Sequence, residues 1–126
     1  LEFSPYQAGP CPYCLHGSME IMHVGLTERE AAALGGEILV SKSLFSSNVI
    51  SQARGDASGF VKVVWRNGEM AGIAAIGCAT QLTLSAELLL MGQYSGSRLN
   101  SFMVAHPTLD ETLVDAVKAP RRPSEY

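Results

Sequence analysis

Two groups of side chains in this sequence have the types and spacing for chemistry. The richer is the run Ala105-His106-Pro107-Thr108-Leu109-Asp110-Glu111, which gathers an imidazole, a hydroxyl and two carboxylates in one short stretch. Histidine changes charge near neutral pH. A carboxylate beside it fixes its tautomer and stabilises its protonated form, so His106 and Glu111 are candidates for an acid–base pair. The same residues also support a purely local reading. Thr108 followed three residues later by Glu111 is a capping box, in which the hydroxyl accepts from the Glu111 amide and the carboxylate accepts from the Thr108 amide.

The second group is Cys11-Pro12-Tyr13-Cys14, with His16 and His23 behind it. The motif resembles that of glutaredoxins, and the four residues together could be read as zinc ligands. Thiol redox chemistry of this kind requires the first cysteine at a helix N-terminus after a strand, where its pKa is lowered. No strand-like run precedes Cys11, and Leu15-His16-Gly17-Ser18 is a poor helix start. No second Cys or His pair completes a zinc set. Nothing in the sequence gives Cys78 a role.

The elements that must position these groups follow from periodicity. Leu109, Leu113, Ala116 and Val117 recur at helical spacing before Pro120, which predicts an amphipathic helix over 109–119 with His106 just outside its N-terminus. Residues 20–24 alternate as a strand, and Thr27 with Glu30 makes another capping box for a helix ending near Leu34, stopped by Gly35-Gly36. Residues 37–44 return as a strand, and 45–53 form at most a short helical turn with little functional content. Phe60-Val61-Lys62-Val63-Val64-Trp65 is the clearest strand, and Asn67-Gly68 is a type I′ hairpin signal leading into a strand over 69–76. A short helix over 97–103 delivers the chain to His106. Together these elements predict an α+β fold, a two-layer sandwich of an antiparallel sheet with helices packed on one face.

The helix expected over 80–93 carries two apolar stripes, Leu82, Ala86, Leu89 and Leu90 on one side and Leu84, Leu88 and Met91 on the other. The domain's own sheet can cover only one of them. The other is a candidate interface, against the simpler alternative of a helix buried between the sheet and the last helix.

Composition narrows the function classes. The 126 residues are 47% hydrophobic with a formal net charge of −3, which suits one globular domain. Residues 1–10 lack periodicity and are expected to be poorly ordered linker, followed by a domain over 11–119 and a tail over 120–126. Basic residues are scattered apart from Arg121-Arg122, so no nucleic-acid face is expected. The longest apolar region, 73–91, is broken by Gln81 and Glu87, which argues against a membrane span. No signal peptide is visible, and the three cysteines are read as reduced thiols in a cytoplasmic protein.

Three stretches, in order and at matching separations, carry a family resemblance. They are Val24-Gly25-Leu26-Thr27-Glu28-Arg29-Glu30-Ala31, Gly59-Phe60-Val61-Lys62-Val63-Val64, and His106-Pro107-Thr108-Leu109-Asp110-Glu111. From Pro12 to Ala119 the chain resembles the C-terminal interface domain of the flavin-dependent pyridine nucleotide-disulfide oxidoreductases. Leu109 points to the lipoamide dehydrogenase branch, whereas Val104 stands where that branch often carries a further histidine. The resemblance places Pro12 at the opening of the first strand and Cys14 inside it. It implies a homodimer in which His106, oriented by Glu111, serves the partner subunit's active site. It also implies a complete enzyme that uses FAD and NAD(P) to reoxidise a dithiol such as dihydrolipoamide, with a 2-oxo acid dehydrogenase complex as a candidate partner. The chain itself has neither a Gly-x-Gly-x-x-Gly turn nor the family's Cys-x4-Cys disulfide. It is therefore expected to bind no cofactor or metal and to be inactive alone. Two other readings stay open: a small thiol oxidoreductase using Cys11 and Cys14, and a structural dimerisation module in which His106 has no chemical role.

Overall fold

In the computed structural model, which describes residues 4–126, residues 4–10 form neither helix nor strand. The chain then builds β1 (Tyr13–Leu15), β2 (Glu20–Gly25), α1 (Glu28–Ala33), β3 (Ile38–Leu44), α2 (Val49–Arg54), β4 (Phe60–Arg66), β5 (Glu69–Gly77), α3 (Thr83–Gly92), α4 (Gly96–Leu99), α5 (Asp110–Lys118) and β6 (Arg122–Pro123). Short 3-10 turns at Phe45–Ser47 and Thr80–Leu82 precede α2 and α3. The strands form one sheet in the order β1-β2-β5-β4-β3-β6, and every neighbouring pair is antiparallel. Among the described residues, no helix is long and apolar enough to cross a membrane.

Local chemistry accounts for the main boundaries. Thr27 caps α1 as the spacing predicts, its hydroxyl accepting from the Glu30 amide while Glu30 Oε2 accepts from the Thr27 amide at 2.8 Å. At the β4–β5 turn Asn67 and Gly68 have φ of 51° and 86°, the left-handed pair that a type I′ hairpin requires. Glycine is also needed at Gly72, where a Cβ would collide with the Leu26 backbone as the chain leaves β2. Gln93 ends α3 with φ 49°, and its side-chain amide stands in for a strand, accepting from Met70 N at 2.8 Å and donating to Met70 O at 2.9 Å.

The core lies between the sheet and two helices. Leu82, Ala86, Leu89 and Leu90 from the α3 segment, with Leu109, Leu113, Ala116 and Val117 from the α5 segment, pack on Met22, Val24, Val61, Val63, Trp65, Ile73 and Ala75. Burying such side chains contributes roughly 1.5–3 kcal/mol each, which is why the amphipathic pattern dictates how α5 sits. The Trp65 indole N–H donates to Ser41 Oγ at 2.8 Å, so this buried polar group is satisfied.

Three elements depart from the expectations. The short helix near 97–103 stops at Leu99, and the chain reaches His106 without further helix. The tail joins the sheet as β6, with Val40 opposite Arg122 and Ser124 N donating to Ile38 O at 3.0 Å. Arg121 lies over the Trp65 ring, 3.5 Å from its centroid, and helps hold the tail. Finally, α1 lies across the sheet from α3 and α5. Lys62 alternates with the core residues Val61 and Val63, and its ammonium pairs with Glu28 of α1 at 2.8 Å.

Candidate active site

His106 sits in the loop between α4 and α5, followed by a cis peptide bond to Pro107. Its Nδ1 is 2.8 Å from Glu111 Oε1. The other carboxylate oxygen, Oε2, accepts from the Thr108 backbone N–H at 2.8 Å. The two local roles of Glu111 are therefore divided between its oxygens, one for the helix start and one for the ring.

Only half of the expected capping box forms. The Thr108 hydroxyl does not accept from the Glu111 amide; it donates to Ala105 O at 2.8 Å, and α5 begins at Asp110 without a side-chain cap. The hydroxyl thus ties the two ends of the His106 loop together and leaves the carboxylate to hold the helix start. Asp110 and Glu111 in the first turn also suit the helix dipole.

The arrangement selects one form of the imidazole. The Thr108 N–H, followed by the His106 ring, holds the Glu111 carboxyl below its ordinary value, so it is ionised at neutral pH. An ionised carboxylate only accepts hydrogen bonds, so Nδ1 carries the proton and Nε2 presents its lone pair outward. The His106 side chain is 68% exposed and that of Glu111 28%. The ring is therefore held by Glu111 while most of its surface faces solvent.

Two grooves reach the His106 loop: a polar one of about 280 Å³ lined by Arg54, Gln81, Pro107 and Asp110 among others, and a larger apolar one. The apolar groove, of about 420 Å³, runs from Leu88 and Leu89 past Tyr94, Phe102 and Met103 to Ala105 and Thr108. Beside it lies the outer stripe of α3, with Leu84, Leu88 and Met91 exposed to 66%, 56% and 60%. A larger cavity of about 540 Å³, lined by Glu28, Lys42, Lys62 and Arg122 among others, includes no residue of the His106 loop. The His106 loop lines part of the apolar groove, and it carries the only imidazole–carboxylate pair among the described residues.

The cysteine motif is not organised for chemistry. Cys14 lies in β1 opposite Met22, so it faces the helices, and its Sγ meets Thr83 Oγ1 at 3.0 Å. His23 alternates with Met22 and points to the opposite face, where it packs against Tyr13 at 5.3 Å between ring centroids. Cys11 is exposed in an extended segment, and a strand rather than a helix follows it. All three cysteines are free, and burial followed by Asp56 pushes the Cys78 thiol up, away from reactivity. Among the described residues, no group of three or more His, Cys, Asp or Glu side chains is placed to hold a metal ion.

One residue of the site was not signalled by the sequence. Asn48, in the stretch read as having little function, donates from Nδ2 to Thr108 O at 2.8 Å. An asparagine ahead of a helix can be recognised as a cap, but the distant carbonyl its amide reaches cannot be read from the chain.

The molecule is thus an antiparallel sheet with α3 and α5 on one face and an apolar stripe of α3 left exposed. The family model for the dimerisation domain of pyridine nucleotide-disulphide oxidoreductases matches residues 11–117, and the chain belongs to that family. It is 34% identical to a dihydrolipoyl dehydrogenase of Bacillus subtilis over 109 residues, covering 84% of this chain and 24% of that protein. A dihydrolipoyl dehydrogenase of Chlorobaculum parvum is 37% identical over 112 residues, covering 86% and 24%. Among solved structures, LpdA from Mycobacterium tuberculosis superposes with a TM-score of 0.78 at 18% identity, over 93% of this chain and 26% of that one. The HOCl-induced flavoprotein disulfide reductase RclA from Escherichia coli gives 0.76 at 22% identity, over 88% and 26%. The chain thus spans about a quarter of the length of the relatives it matches.

Flavin and pyridine nucleotide, which the family implies, do not fit the residues described here. All strand pairs are antiparallel, so there is no parallel βαβ turn whose helix N-terminus could receive a pyrophosphate.

Proposed function

We propose that this chain is the interface domain, over 11–119, of a lipoamide dehydrogenase-like disulfide oxidoreductase, joining two subunits and supplying His106 to the active site of the other. The observation that carries this reading is the division of Glu111 between Thr108 N–H and His106 Nδ1, which leaves Nε2 as the proton acceptor of a ring that is 68% exposed. The apolar groove and the open stripe of α3 support this reading, because they offer an apolar surface near the His106 loop for a second subunit to cover.

In the proposed reaction, Nε2 takes a proton from one thiol of a dithiol substrate such as dihydrolipoamide. The resulting thiolate is the nucleophile for thiol–disulfide exchange, attacking a disulfide sulfur outside this chain. The imidazolium is stabilised by Glu111 and later returns the proton to the sulfur that leaves. FAD and NAD(P) would supply electron transfer from elsewhere in the complete enzyme, and the domain alone is expected to be inactive. A cytoplasmic homodimer serving a 2-oxo acid dehydrogenase complex is the setting we favour.

The test is His106→Gln in the full-length dimer. Positioned acid–base catalysis typically contributes about 10²–10⁴-fold, so dihydrolipoamide oxidation should fall by that order with flavin content and melting temperature preserved. Full activity would leave a structural dimerisation module as the function of this domain.

A further inference from the structure

We infer that Asn48 is a positioning residue for the acid–base pair, acting through Thr108. This rests on the reading of His106 and Glu111 as that pair. Asn48 is 6% exposed, and both ends of its amide are engaged. Oδ1 accepts from Ser51 N at 3.1 Å, capping α2, while Nδ2 donates to Thr108 O at 2.8 Å. Reversing the amide would set donor against donor and acceptor against acceptor, so its orientation is determined by its partners.

The anchor behind Asn48 is rigid. Its backbone N–H donates to Phe45 O at 2.9 Å, and Phe45 is fully buried in the core. The other side-chain hydrogen bonds of the His106 loop, from Thr108 to Ala105 and between Glu111 and both His106 and Thr108, are local. Among the described residues, Asn48 makes the side-chain hydrogen bond that joins Thr108 to an element outside α5. Thr108 is consequently clamped on both sides, its carbonyl by Asn48 and its N–H by Glu111, and the second clamp aims His106. A base on an untethered loop would still exist but would spend less time in the productive geometry, and a displacement of about 1 Å can cost roughly 10²-fold in rate.

Capping and positioning can be separated experimentally in the full-length dimer. Ser and Asp are both good N-caps, so Asn48→Ser and Asn48→Asp preserve the α2 start. Neither can donate to Thr108 O as the amide does: the serine hydroxyl is too short, and the carboxylate opposes the carbonyl. Both variants should lower kcat for dihydrolipoamide oxidation by about 10–100-fold, with KM within about twofold and flavin content unchanged, and Asn48→Ser should lower the melting temperature only by the few degrees that loss of one hydrogen bond entails. Added to His106→Gln, either should cause little further loss, because its effect passes through the same ring. Should Asn48→Asp fail to fold, Asn48→Ser carries the test. Full kcat in Asn48→Ser beside an inactive His106→Gln overturns the positioning role and leaves the acid–base reading intact. A loss of melting temperature with kcat per flavin unchanged also overturns it. Full activity in His106→Gln removes both.

Discussion

Glu111→Gln in the full-length dimer is the most discriminating perturbation of this site, because each carboxylate oxygen accepts one hydrogen bond and an amide has only one accepting end. Glu111 takes Thr108 N–H on Oε2 and His106 Nδ1–H on Oε1, each at 2.8 Å. Glutamine has one accepting oxygen and one donating nitrogen. If the oxygen stays on Thr108, the NH2 faces Nδ1, which must then give up its proton, and Nε2 becomes a donor unable to receive one. If the oxygen faces His106, the NH2 meets the Thr108 N–H and the helix start is disrupted. Loss of the base altogether sets a ceiling of about 10²–10⁴-fold. The ring is 68% exposed and can rotate or exchange tautomers through water, so the expected loss in kcat lies lower, about 10–100-fold. Steady-state dihydrolipoamide oxidation normalised to bound flavin measures it, alongside a thermal melt expected to move by less than about 2 °C. An active Glu111→Gln enzyme with an unchanged melt would refute the reasoning, since glutamine serves as well as glutamate when the residue only caps a helix.

Three further outcomes are expected. Leu84→Arg with Leu88→Arg places charge on the open stripe of α3 and should convert the dimer to monomer by analytical ultracentrifugation; an unchanged dimer would move the interface elsewhere. Cys11→Ala with Cys14→Ser should retain activity within about twofold, because Cys14 only meets Thr83 and no helix activates Cys11; a loss beyond tenfold would revive the thiol reading. Acid should destabilise the domain through four carboxyls held below their ordinary value of 4.5. These are Glu20 through its bonds from Thr80, Glu28 where burial is outweighed by bonds from Lys62 and Ser124, Glu30 through Thr27, and Glu111 through Thr108. With folded-state values lowered, their contribution is complete above about pH 4.5 and is lost as pH falls through the lower folded values. The urea midpoint should therefore hold near neutrality and fall below pH 4.5, and a midpoint insensitive to acid would contradict it.

Much of the architecture could be read directly because local and global preferences agree. Thr27 with Glu30, Asn67-Gly68 and the Leu109–Val117 spacing each encode an element through contacts within a few residues, and the structure forms all three. His106 and Glu111 were legible for the same reason, since they lie five residues apart around one helix start. The two stripes of α3 were equally plain, because helical period alone separates Leu84 and Leu88 from Leu82 and Ala86.

Other features depended on long-range partners that no local pattern specifies. Thr108 gave its hydroxyl to Ala105 instead of Glu111, a choice decided by how the loop closes before α5. The tail became β6 because the β3 edge, Trp65 and Glu28 lie where Arg121, Arg122 and Ser124 can use them. Cys14 and His23 were separated by strand alternation once β1 paired with β2 in that register. Asn48 is the clearest case. The sequence by itself determined that an asparagine precedes a helical turn, but only the packing of α2 against the α5 loop put its amide 2.8 Å from Thr108 O, sixty residues away in the chain. Hydrogen-bond capacity is a property of the residue type, whereas the partner that satisfies it is set by the tertiary structure.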